Sequence, residues 1–145
     1  IKSALANDPN NTGLLLRSGY LKEQSGDLEG GLADYKKAVE IDPNFFEGNY
    51  YTGALLLEQA TKELNTLNDL SDAEWEKQSP IVGKKADENY TESIKYFSKA
   101  LEIKPDNSDI MIILYQVYTR LKKTAEMDAM DKKISAILGA NWKDN

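Results

Sequence analysis

Twenty-four carboxylates are the side chains this sequence holds in the numbers that acid–base chemistry needs, within a chain of 145 residues. A facing pair could in principle serve a glycosidase. Yet a protein this acidic brings carboxylates together by accident, and their ordinary place is solvated surface. The cluster Asp69, Asp72, Glu74 and Glu76 lacks the glycine-centred loop spacing of an EF-hand. No GxxxxGK phosphate loop is present, and Gly83-Lys84-Lys85 is a lysine pair behind a glycine. Without histidine the chain lacks the commonest general base at neutral pH, the commonest zinc ligand and the usual triad base. Without cysteine it lacks disulfides, thiolate metal sites and sulfur nucleophiles. These residues predict no enzyme, no metal and no cofactor.

The elements that must position the remaining side chains follow from three prolines. Pro9 and Pro43 stand 34 residues apart, and Pro43 and Pro105 stand 62 apart, a surplus of 28. Five residues before each lies an alanine (Ala4, Ala38, Ala100), and eight before lies Ile1, Tyr35 or Phe97. Ten residues after them come Gly19, Gly53 and Tyr115. A period in this range belongs to stacked repeats, in which each unit buries its apolar face against its neighbours.

Each unit reads as two amphipathic helices. The first covers residues 14–23, with Leu14, Leu15, Tyr20 and Leu21 at helical spacing. Gly26 suits the positive φ of a C-terminal cap, and Asp27 suits the next N-cap. Leu28, Leu32, Tyr35, Ala38, Val39 and Ile41 form the second buried stripe, which Asp42-Pro43 ends.

Composition agrees with one soluble domain: 41% hydrophobic and 29% charged residues. The longest apolar runs, at 14–16, 55–57 and 110–114, fall far short of the roughly 20 residues of a membrane helix. The net charge of −6 argues against nucleic acid and anionic membranes as partners. The chain starts at Ile1, inside what the period marks as the second helix of an earlier repeat. A trimmed start leaves compartment open, with bacterial cytoplasm and periplasm both possible.

The pattern Leu15…Gly19…Gly26-Asp27…Gly31…Tyr35…Ala38…Pro43 resembles the tetratricopeptide repeat family. Bacterial members with one stretched repeat look similar. The resemblance implies an all-α fold, a right-handed superhelical stack of antiparallel helix pairs. Residues 1–11 would end a preceding repeat, and 12–45 would form a full one. Residues 46–107 would form a repeat carrying the 28-residue insertion around 59–86. Residues 108–140 would be a degenerate terminal repeat, with Tyr115 where glycine is usual, and 141–145 a tail that is mobile unless Trp142 docks.

Within the insertion, apolar spacing predicts that both helices are lengthened by roughly 9 residues each, or ~14 Å. Ser71 to Glu74 fits a capping box for a short helix carrying Trp75 at the tip, and Ser79-Pro80 fits the start of the next helix. Trp75 is thus a possible anchor for a partner on the protrusion, or a staple against Leu70 or Ile81. Further on, Thr124 fits a cap, Met127, Met130, Ile134 and Ile137 form a stripe, and Gly139 fits a stop.

The same resemblance implies function. In that family the first helices line a concave groove that receives an extended peptide or a partner's helix. Carried over, the groove sites are Gly13, Leu16, Arg17, Tyr20 and Gln24, then Tyr50, Tyr51, Ala54 and Glu58. The third unit contributes Asp109, Ile112, Ile113, Gln116 and Arg120. Aromatics and arginine concentrate binding energy at interfaces, and Arg17 and Arg120 could each hold a carboxylate bidentately. The basic and amide set that clamps chaperone tails is missing, because Leu16, Tyr20 and Gln24 fill its places. A protein–protein interaction scaffold is the expected function, with a protein or peptide partner. The alternatives are a self-associating assembly module, hence a homo-oligomer, and a regulatory repeat region of a larger protein.

Overall fold

The computed structural model describes residues 1–144. Its helices are α1 (Lys2–Asn7), α2 (Thr12–Gln24), α3 (Leu28–Ile41), α4 (Phe46–Asn65), α5 (Asp72–Ile103), α6 (Ser108–Arg120) and α7 (Thr124–Leu138). A 3-10 turn, Trp142–Asp144, follows, and no strand occurs among the described residues. The helices pack as successive hairpins, α2 with α3, α4 with α5 and α6 with α7, in the α-solenoid manner.

Local chemistry sets the boundaries. Asn11, Asp27 and Asn107 each accept a hydrogen bond from the backbone N–H three residues on, at 3.0, 2.9 and 3.0 Å. Gly26 takes φ +91° after α2, and Gly139 takes φ +94° after α7, where a side chain would be strained. At the turn between α6 and α7 the residue in the register of Gly26 is Lys122, held at φ +57°. A non-glycine residue there carries a steric cost of about 1 kcal/mol. Lys122→Gly is therefore expected to raise stability by about that amount in urea unfolding. Thr124 does not cap α7. Lys123 holds the cap position without a side-chain bond, and Thr124 already lies in the first turn.

Two large rings seat on glycines. A Cβ on Gly19 would fall 2.5 Å from the Tyr35 ring, and one on Gly53 would fall 2.7 Å from the Phe97 ring. Both rings are fully buried. Glycine here supplies room for close helix approach rather than conformational freedom. The main apolar cluster joins Phe97, Ala100, Ile110, Met111, Leu114, Met130 and Ile134 across the last two hairpins. Asn49, also buried, donates to the carbonyls of Pro43 and Phe45 at 3.0 and 2.9 Å and pins the α3–α4 turn.

The stretched hairpin departs from the expectation of evenly lengthened helices. α4 has 20 residues against 13 in α2, and α5 has 32 against 14 in α3. Ser71 caps α5 through the Glu74 N–H at 3.3 Å, as its spacing predicts. The expected separate tip helix and second start at Ser79-Pro80 do not form. One helix runs from Asp72 through Pro80. Pro80 lies well past the first turn, so its missing N–H leaves a backbone carbonyl of the preceding turn to solvent. The segment is exposed enough for water to satisfy it. Asp72 to Lys85 contributes no buried side chain, so this part of α5 is an arm.

The tail docks. Trp142 Nε1 donates to Asp131 Oδ1 at 2.8 Å, and its ring meets Tyr115 edge-on at 5.0 Å. Tyr115 stands where the earlier units have glycine, and Asp131 stands where they have Tyr35 and Phe97. The aromatic bulk of the last hairpin has moved to the other helix, and Trp142 closes over it.

Candidate functional site

The 34-residue register sets the corresponding faces of α2 and α4 side by side, and α6 continues the row. Two recesses lie along this row. The first, of about 240 Å³, is lined by Gly13, Leu16, Arg17, Tyr20, Tyr35 and Tyr51. The second, of about 300 Å³, is lined by Phe46, Glu47, Tyr50, Tyr51, Asn107 and Asp109. Tyr51 is the wall they share.

Rings make the floor stiff. Tyr35 and Tyr51 have centroids 5.8 Å apart, Tyr50 meets Tyr51 edge-on at 5.8 Å, and Tyr50 meets Phe97 edge-on at 5.8 Å. Such pairs contribute about 0.5–1.5 kcal/mol each beyond their area. Phe46 stacks on Tyr50 at 6.1 Å, and Lys104 Nζ lies 3.9 Å over the Phe46 ring. Tyr20, by contrast, is 45% exposed and stands at the open side of the first recess.

The expected site residues divide into groups. Leu16, Arg17, Tyr20 and Tyr51 meet in the first recess, and Tyr50 with Tyr51 line the second. Ala54, Ile112 and Ile113 pack against the core cluster, as does one side of Tyr50. Gln24, Gln116 and Glu58 are exposed and line neither recess. Arg120 lies elsewhere: its Nε is 3.3 Å from Asp87 Oδ1, and its guanidinium sits 5.6 Å from the Tyr90 ring centre. Trp75 is in the first turn of the arm, 49% exposed, away from both recesses. Leu70 and Trp75 hold the two positions that flank a helix start in a hydrophobic staple.

Sequence reasoning missed Tyr35, Phe46, Glu47 and Asn107 as recess walls. Glu47 was within reach, since it stands 34 residues after Gly13 in the same register. Tyr35 reads as a core residue and is one. Only the structure reveals that its ring also closes the recess.

Charge on this face is sparse, and beside the Lys104 ammonium on the Phe46 ring it comes from three residues of the recess walls. Among the described residues, Arg17, Glu47 and Asp109 make no ion pair. Behind the recess, the Tyr35 hydroxyl donates to Glu23 Oε2 at 3.4 Å. Burial, followed by the neighbouring Glu23 charge, pushes the Tyr35 hydroxyl well above its ordinary range, so it stays protonated at neutral pH. Burial, followed by the charge of Glu58, raises the Glu23 carboxyl, with the Tyr35 bond and Lys62 opposing. A carboxyl raised in the folded state holds its proton more tightly there, so its contribution favours folding at acid pH. That contribution is lost as pH rises from about 4.5 through the folded value. Glu23→Gln is expected to flatten this part of the stability–pH curve, as measured by urea midpoints from pH 4 to 7.

Two more open hollows of about 760 Å³ lie elsewhere. One runs along a single face of α5 from Ser79 to Glu92, and one lies between the end of α5 and α7, beside Met130 and Ile137. Walls from one helix cannot enclose a side chain, so the first offers little to a ligand. The face of α2, α4 and α6 offers ring surface, one free guanidinium, two free carboxylates and the Lys104 ammonium on the Phe46 ring. That set suits recognition rather than bond making.

The tetratricopeptide repeat family model matches residues 13–45 and 85–107. The first match is the α2–α3 hairpin, and the second is the inner part of α5 with the turn after it. No curated protein matches the chain. Among solved structures, the MamA RS-1 ArsTM double mutant is similar at 18% identity, over 94% of this chain and 80% of that one, with a TM-score of 0.40. YrrB, described as a TPR protein with an unusual peptide-binding site, is similar at 15% identity, over 94% of this chain and 91% of that one, with a TM-score of 0.38.

Proposed function

We propose that this tetratricopeptide repeat protein is an interaction scaffold that binds an extended peptide segment of a protein partner along the face of α2, α4 and α6. Such repeats are generally non-catalytic interaction modules, and here recognition would proceed on a preformed surface with no covalent step. The observation that carries the reading is the pair of adjoining recesses sharing Tyr51, walled by rings that pack tilted and edge-on, and open at Tyr20. Rigid aromatic walls give contact area at little entropic cost, which is how a few residues come to dominate binding.

A selection from a random peptide display library on the whole chain tests this. Recovered peptides are expected to bind Arg17→Ala/Tyr20→Ala at least about tenfold more weakly, the loss of one or two interface hot spots. They should bind Trp75→Ala as they bind the parent. Peptides indifferent to the groove pair but lost with Trp75→Ala would move the function to the arm.

A further inference from the structure

Three of the unpaired charges on this face line the recesses, and they are not scattered. Arg17 borders the first recess, while Glu47 and Asp109 border the second, and Tyr51 stands between them. Arg17 is therefore held apart from the two carboxylates by an aromatic wall, while Lys104 Nζ stands on the second side, 3.9 Å over the Phe46 ring. Some opposite charges elsewhere pair, as in Lys22–Asp34 at 2.9 Å, Lys85–Glu63 at 3.5 Å and Arg120–Asp87 at 3.3 Å, so the feature of this face is the placement of its charges rather than their being unpaired. A protein with a net charge of −6 that leaves one arginine free beside an aromatic recess leaves a place for an anion there. The other end carries two carboxylates against the one ammonium of Lys104 on the Phe46 ring, and its surplus favours a cation.

Resting on the peptide-binding reading above, we propose that the face sorts its ligand by charge order. The ligand is an extended peptide with a large apolar or aromatic anchor in the Tyr20–Tyr35–Tyr51 recess. It carries an acidic residue on the Arg17 side and a basic residue on the Glu47–Asp109 side. Packed helices lie about 8–10 Å apart, so the basic residue stands about three residues of extended chain from the anchor, at about 3.3 Å each. Rim charges of this kind act mainly on specificity and on association rate, and salt weakens them.

The test uses five dye-labelled synthetic peptides with a central Phe: Asp before and Lys after, the reverse order, Asp on both sides, Lys on both sides, and Gln on both sides. Both mixed orders are included because a peptide can lie in either chain direction. Fluorescence anisotropy on the whole chain is expected to show one mixed peptide binding about tenfold or more above the two like-charge peptides, with the margin shrinking in high salt. The variant Arg17→Glu/Glu47→Lys/Asp109→Lys reverses the face. It should transfer the preference to the opposite mixed peptide, provided its circular dichroism matches the parent. Equal binding of all five, still lost in Tyr20→Ala, would overturn charge sorting and leave the groove reading standing. No binding of any peptide near millimolar concentration would also overturn it. The groove reading would then rest on the display selection alone.

Discussion

Tyr35→Ala is expected to cost about 3–5 kcal/mol of folding stability, the range for removing a buried large aromatic residue. Tyr35 is fully buried, with its ring pressed on Gly19 and paired with Tyr51 across the boundary between hairpins. Its loss empties the seam between α2 and α3 and removes a wall of the first recess. Against a typical total of about 5–15 kcal/mol, that leaves a domain close to unfolding at working temperatures. Tyr35→Phe separates the two roles. It keeps the ring and gives up one bond to Glu23 at 3.4 Å, which is long enough that the cost should stay within about 1 kcal/mol. Chemical denaturation of the two variants decides the matter. Equal losses would mean that the hydroxyl, not the ring, holds the seam.

Gly53→Val should be nearly as damaging, at about 3 kcal/mol, the upper part of the range for overpacking a tight core. A Cβ at this position would lie 2.7–2.9 Å from three atoms of the Phe97 ring, which is itself enclosed by the main cluster. Neither α4 nor the ring can give way without opening that cluster. Gly83→Ala is the control, on the exposed arm where an added Cβ meets nothing within 4 Å. There the helix propensity of alanine should add about 0.5–1 kcal/mol. Combining Gly53→Val with Phe97→Leu is expected to recover part of the loss. A strictly additive double variant would show that the two side chains do not meet.

The repeat frame was legible in the sequence because it depends on residues that leave marks at fixed spacing. Pro43, Gly26 and Asp27 bound α2 and α3 through backbone chemistry that needs no partner, so position alone reveals them. Leu16, Arg17, Tyr20 and Tyr51 were legible for a related reason: register places them, and the structure gathers them around one recess. Arg120 was placed by the same register, yet its guanidinium is taken by Asp87 and Tyr90. Those partners sit at the inner end of the stretched segment, and no spacing rule of the ordinary repeat foresees a competitor there. Pro80 misled in a similar way. Proline near a serine is a common helix start, but α5 has enough continuous turns on each side to carry it through. Trp142 was the other open question, because its fate rested on Tyr115 and Asp131 meeting in space.

The stretched hairpin has a consequence for how such a chain can change over generations. α4 exceeds α2 by 7 residues and α5 exceeds α3 by 18. At 3.6 residues per turn these surpluses are close to two and five whole turns. The surplus lies at the outer ends, C-terminal in α4 and N-terminal in α5, so the inner turns keep the register of the ordinary repeat and Phe97 still points at Gly53. Growth or loss at the outer end of α5 leaves the inner hairpin blind to the event, because residues 72–85 bury no side chain that a change of length could misplace. The arm behaves as a drawer, free to vary in reach while the frame around it stays shut.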